Sequence, residues 1–231
     1  MTIHPLDNPA WTSLVSDHRD LATGEGPVRR YLPEIGPFAG VEDVNEQSLG
    51  ALLDCIRETG PVLFARTRCS LSDFAVPQGL RAVWDRPVVQ MVFEEGATTG
   101  ELDERIVALG AEDVPEMLQL TQVTKPGPFE TRTHEMGQYW GIRQGGKLVA
   151  MAGERMRQPG FTEVSAICTH PDHQGAGFGR ALTLHTARAI LERGAVPYLH
   201  AFDDNARAIG LYELLGFRHR EDIRAIALQA A

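Results

Sequence analysis

The stretch His173-Gln174-Gly175-Ala176-Gly177-Phe178-Gly179-Arg180 (HQGAGFGR) places three glycines within five positions, directly before an alanine-rich apolar run. Upstream, FTEVSAICTH (161–170) reads as a strand of β-branched and apolar residues, which Pro171 ends. Downstream, helical periodicity from about Gly177 to Arg193 puts Phe178, Leu182, Ala189 and Ile190 on one face, and Gly194 closes the helix. Glycines at a strand-to-helix junction leave backbone amides uncovered, where a helix has donors without partners and a positive dipole end. Such a loop suits a phosphate or diphosphate. A nucleoside triphosphate, a dinucleotide and an acyl-CoA all carry one.

Register separates the three. A Walker loop needs Gly-x-x-x-x-Gly-Lys-Ser/Thr, and no Lys followed by Ser or Thr stands at the required place. The dinucleotide fingerprint Gly-x-Gly-x-x-Gly, counted from Gly175, meets Arg180 where its third glycine belongs. Gln174-x-x-Gly177-x-Gly179 remains.

The surrounding elements read as two unequal parts. Residues 1–100 contain helical patterns at Trp11–Ala22 and Gln47–Glu58 and strand-like runs at Pro61–Arg66 and Val88–Phe93. Proline and glycine punctuate them, and no chemical motif stands out. The polar segment Glu94–Glu104 lacks periodicity and reads as a linker. From 104 to 231 the order is strand (Ile106–Gly110), helix, loop, hairpin (Gln138–Arg143 with Lys147–Met156), strand, long helix, strand (VPYLHAF), helix and final strand. The fold expected is mixed α/β (α+β), with a smaller N-terminal α+β domain ahead of a sheet flanked by helices.

Composition narrows the partners. With 22 Lys and Arg against 31 Asp and Glu, the net charge of −9 disfavours nonspecific nucleic-acid binding. No apolar run approaches the roughly 20 residues of a membrane span. The opening MTIHPLDNPAW lacks a signal-peptide pattern, and three scattered cysteines do not make a disulfide framework, so a cytoplasmic location is expected.

Gln-x-x-Gly-x-Gly preceded by a strand and Thr-His-Pro resembles the pyrophosphate loop of the GNAT superfamily of acyl-CoA N-acyltransferases. NARAIGLYELLGF (205–217) is similar to that family's second hallmark, Asn-x-x-Ala-x-x-Leu-Tyr-x-x-x-Gly-Phe. The resemblance runs from about Ile106 to the C-terminus, and the uninformative first half resembles bacterial members with an extra N-terminal domain. It implies a mostly antiparallel, GNAT-like sheet and acetyl-CoA as cosubstrate, with an amine acceptor and no metal. It places Gln174, Gly175, Ala176, Gly177, Phe178, Gly179 and Arg180 on the pyrophosphate, and Ile167, Cys168, Thr169 and Asn205 along the pantetheine.

Transfer to an amine needs two proton movements. The ammonium, with a pKa of about 10, must lose a proton, and the departing thiolate must gain one. Tyr212, seven residues after Asn205 on a helix, shares its face about 10 Å further along, which makes it the candidate acid. Glu163, four residues before Ile167 on one strand, is expected on the same face and is the candidate base, acting through water. As plain packing, Tyr212 is a core tyrosine and Glu163 a solvent-facing strand glutamate. Cys168 reads as a packed thiol rather than a nucleophile. His170 and His173 lack a third metal ligand, and His134, Glu135 and Tyr139 are acceptor-specificity candidates. The alternative to an enzyme is a CoA-binding sensor or scaffold. The N-terminal part is then an acceptor-site cover or a homodimer surface; in its own fold it reads as a degenerate acyltransferase half or an unrelated α+β cap.

Overall fold

The computed structural model describes residues 4–67, 76–94 and 103–231. Most of the linker expected at Glu94–Glu104 lies outside them. All eleven described strands belong to one sheet, in the order β1-β2-β3-β4-β11-β5-β10-β9-β8-β7-β6. The first part supplies β1 (Ala22–Thr23), β2 (Val28–Tyr31), β3 (Phe38–Val41), β4 (Val62–Thr67) and β5 (Leu80–Phe93). The second supplies β6 (Ile106–Leu109), β7 (Tyr139–Gln144), β8 (Lys147–Gln158), β9 (Phe161–Thr169), β10 (Val196–Phe202) and β11 (Phe217–Ala230). The helices are α1 (Pro9–Val15), α2 (Glu46–Thr59), α3 (Val114–Thr124), α4 (Phe178–Glu192) and α5 (Ala206–Leu214).

Each half contributes a like unit. β3 and β4 are parallel neighbours joined through α2, and β9 and β10 are parallel neighbours joined through α4. Between these units lie β11 and β5, antiparallel to each other and each paired with the opposite half: β11 with β4, β5 with β10. The two parts of the chain therefore meet by exchanging 14-residue strands within one sheet.

Local chemistry explains the departures from expectation. The first helix stops at Val15, where the Ser16 hydroxyl bonds back to the Thr12 carbonyl and the chain turns so that His18 Nδ1 meets the Tyr31 hydroxyl at 2.9 Å. β5 begins at Leu80, well before Val88, because β11 holds it through Ala230↔Leu80, although its first half is charged and largely exposed. β3 is only four residues, FAGV, all buried, too short to announce itself among glycines and prolines. α2 runs as expected: Asn45 caps it, receiving the Ser48 amide at 3.0 Å, while Arg30 reaches the Thr59 and Gly60 carbonyls at its C-terminus, where the dipole favours a cation.

The core follows the sheet's two faces. Trp140, Ile142, Ala150 and Ala152 pack under Phe178 and Leu182 of α4, while Tyr139, Met151, Ala166 and Cys168 pack under Met117 and Leu120 of α3. Tyr139 lies across Gly153, where an added Cβ would stand 2.2 Å from its ring. Gly153→Ala is expected to destabilise the protein by roughly 1–3 kcal/mol through overpacking, measured by chemical denaturation.

Candidate functional site

β9 and β10 share three registered pairs and part after Tyr198↔Glu163. Beyond that rung β9 stays on β8 as far as Thr169↔Ala150, and β10 stays on β5 as far as Phe202↔Val88. A cavity of about 740 Å³ occupies the opening. Its walls come from both faces of the sheet: Val123 and Thr124 at the end of α3 on one side, the start of α4 and a face of α5 on the other. The opening thus passes through the sheet.

The glycine loop lines one end. Gly175 (φ +83°) and Gly177 (φ +78°) occupy the left-handed region, where a Cβ is disfavoured although space is open around both. No side chain caps α4, and its first helical bond is Ala181 N to Gly177 O at 3.0 Å, so the amides of Phe178, Gly179 and Arg180 precede the helical ladder. His170 Nδ1 accepts the Asp172 amide and shapes the turn that leads in. Gln174 and Arg180 line the cavity as well, whereas Ala176, in the same loop, does not.

The expected strand residues Ile167, Cys168 and Thr169 line the wall on the β9 side. Asn205 and Tyr212 line it from α5. Asn205 is the N-cap of that helix, its side-chain oxygen receiving the Ala208 amide at 3.2 Å. Burial pushes the Tyr212 phenol up to about 12, so it holds its proton throughout the neutral range. Burial likewise pushes the Cys168 thiol up to about 11, outweighing its hydrogen bonds. A thiol held in that form is a poor nucleophile.

Glu163 is placed differently from its expected position. Between Ser165 and Cys168 β9 advances three residues while β8 advances two, and Ala166 takes φ +52°. This bulge shifts the strand's alternation by one. Val164 and Ile167 consequently both pack towards α4, while Glu163 faces the opposite side. Glu163 and Ile167 do not share a face. Nor does Glu163 line the cavity: it is fully buried, gripped by Arg155 through two bonds of 2.5 and 2.8 Å and by His200 Nδ1 at 2.7 Å. Burial alone would raise its pKa, but the Arg155 guanidinium and His200 hold it well below the usual carboxylate range.

Other cavity residues were not singled out from the sequence. Val123 and Thr124 carry no motif and are recognisable only once α3 is folded over β9. Arg207 and Leu211 lie in the same short helix as Tyr212, which Asn205 caps, and Arg207 adds a second arginine to the cavity wall. His134 lies in the short turn Thr133–Met136, where Arg132 pairs with Glu135, while Tyr139 is buried beneath Phe129; none of these lines the cavity.

Residues 139–225 match the family described as FR47-like protein. A solved structure assigned to the GNAT family of acetyltransferases, from Novosphingobium aromaticivorans DSM 12444, is 38% identical, superposes with a TM-score of 0.91, and is matched over 99% of this chain and 100% of its own. The [ribosomal protein bS18]-alanine N-acetyltransferase of Escherichia coli K12 is 32% identical over 118 residues, 48% of this chain and 79% of that protein. The N-alpha-acetyltransferase RimI of Mycobacterium tuberculosis H37Rv is 44% identical over 85 residues, 35% of this chain and 51% of that protein, so the chain spans about half of it. The chain belongs to the GNAT family of acetyltransferases.

The thiol's protonation gives a direct check. Iodoacetamide at pH 8 is expected to alkylate Cys168 at least tenfold more slowly in the native protein than after unfolding, followed by mass spectrometry of the peptide that contains it.

Proposed function

We propose that this chain transfers an acetyl group from acetyl-CoA directly to a primary amine, and that the cavity through the sheet is where the two meet. The observation that carries the reading is the alignment along one cavity of a capless helix start, an unpaired strand edge and a protonated tyrosine. Acetyl-CoA supplies the thioester. The amides of Gly175–Arg180 bind its diphosphate, with Arg180 and Arg207 adding charge, each charge-assisted bond being worth roughly 1.5–3 kcal/mol. The free backbone groups of Ile167–Thr169 take the pantetheine as a further strand would, and the Asn205 amide steadies it. Tyr212 donates its proton to the departing sulfur.

The amine approaches from the α3 side, past Val123 and Thr124. Glu163, with both carboxylate oxygens held by Arg155 and His200, is not assigned the base in this reading. Water at that mouth takes the proton. The names of the Escherichia coli and Mycobacterium tuberculosis relatives specify an alanine or α-amino acceptor, and an α-amine is the acceptor class to try first.

One acetyl-CoA binds per chain. The connection from β3 to α2, symmetry-related to the glycine loop, is Glu42-Asp43-Val44-Asn45: it carries two acids and no glycine, and Asn45 already receives the helix-start amide of Ser48. Isothermal titration should give a stoichiometry of one, and a value of two would refute this assignment of the N-terminal half. Tyr212→Phe is expected to lower kcat about 100-fold, at the lower end for general acids, while acetyl-CoA affinity changes little. An unchanged kcat would remove Tyr212 from the mechanism, and absence of acetyl-CoA binding at millimolar concentration would remove the function.

A further inference from the structure

A row of buried and half-buried polar side chains crosses five strands at the point where β9 and β10 part. Arg155 on β8 grips Glu163 on β9, and Glu163 accepts from His200 Nδ1 on β10 at 2.7 Å. His200 Nε2 lies 3.0 Å from the side-chain nitrogen of Gln90 on β5, which also donates to the Leu6 carbonyl at 2.9 Å. The Gln90 oxygen accepts from Arg220 on β11 at 2.7 Å, and Arg220 continues to Asp7 at 2.5 Å. These bonds fix the donors: with the Gln90 nitrogen donating, His200 Nε2 accepts and Nδ1–H points at Glu163. Gln90 and Glu163 are both fully buried.

The row's position is mechanical. Tyr198↔Glu163 is the last backbone rung between β9 and β10, and the Glu163–His200 bond spans the two strands just past it. Side chains there replace the missing ladder, and a network with every member satisfied specifies one geometry. Resting on the acetyltransferase reading, we propose that this row sets the width of the β9–β10 opening. Gln90, Leu6 and Asp7 make the N-terminal half a brace for the pantetheine channel. Gln90 and His200 are positioning residues, touching no cosubstrate atom themselves.

A brace for the channel affects the pantetheine arm and spares the nucleotide end, which rests on the glycine loop. Binding of CoA and of 3′-phospho-ADP, its nucleotide portion, is therefore measured by calorimetry on the full-length protein and on Gln90→Met, which keeps the side-chain length without donors. The expected result is a loss of about tenfold in CoA affinity with 3′-phospho-ADP affinity unchanged. His200→Asn carries the same expectation should Gln90→Met not fold. Equal weakening of both ligands reports a general loss of structure and overturns the proposal, as does no change in either. Failure of the unaltered protein to bind CoA would instead strike the acetyltransferase reading itself.

Discussion

Two parallel strands that stop pairing after three rungs leave the sheet with facing edges that no longer bond to each other. Buried amides and carbonyls left without partners are costly, so an opening of this kind persists only where something else takes them. Everything around β9 and β10 is arranged about that gap. The bulge at Ala166 turns Ile167 towards α4 and Cys168 towards α3, so that β9 offers a wall to both sides of the sheet. The loop after β9 delivers the capless start of α4 to one end of the same cavity, and α5 brings Tyr212 to its side.

Charge is divided between the two faces accordingly. On the α4 side the cavity is lined by the glycine loop, Arg180 and Arg207. On the other side the carboxylate of Glu163 is enclosed with Arg155 and His200. Such a pair attains little net stability against well-packed apolar residues, yet losing one partner leaves a buried charge, at a cost of about 3–5 kcal/mol. Because the folded pKa of Glu163 is depressed, that contribution is present above the ordinary glutamate range, near pH 4.3, and is lost as pH falls below it. Tyr212 runs the other way, since burial favours its neutral phenol.

Much of this site is written locally. The glycines at 175 and 177 are where φ is positive, the helix that follows has a plain 3.6-residue face, and Asn205 caps the helix that carries Tyr212. Each of those signals spans a few residues. What escaped reading depends on distant partners. An alanine at positive φ gives no sign of a bulge, so Glu163 was expected on the face of Ile167. The contact between Gln90 and His200 joins positions 110 residues apart, and nothing near either residue announces the other. The charged first half of β5 looks like a loop until β11 is laid beside it, and the exchange of those strands between the halves is a property of the whole sheet.

The most direct measurement is a crystal structure of the protein with CoA. Pantetheine density is expected between β9 and β10, paired with the backbone of Ile167–Thr169, with the diphosphate on the amides of Gly175–Arg180 and the sulfur within hydrogen-bonding reach of the Tyr212 hydroxyl. CoA bound elsewhere, or β9 and β10 zipped together past Glu163 with the nucleotide outside, would contradict that expectation.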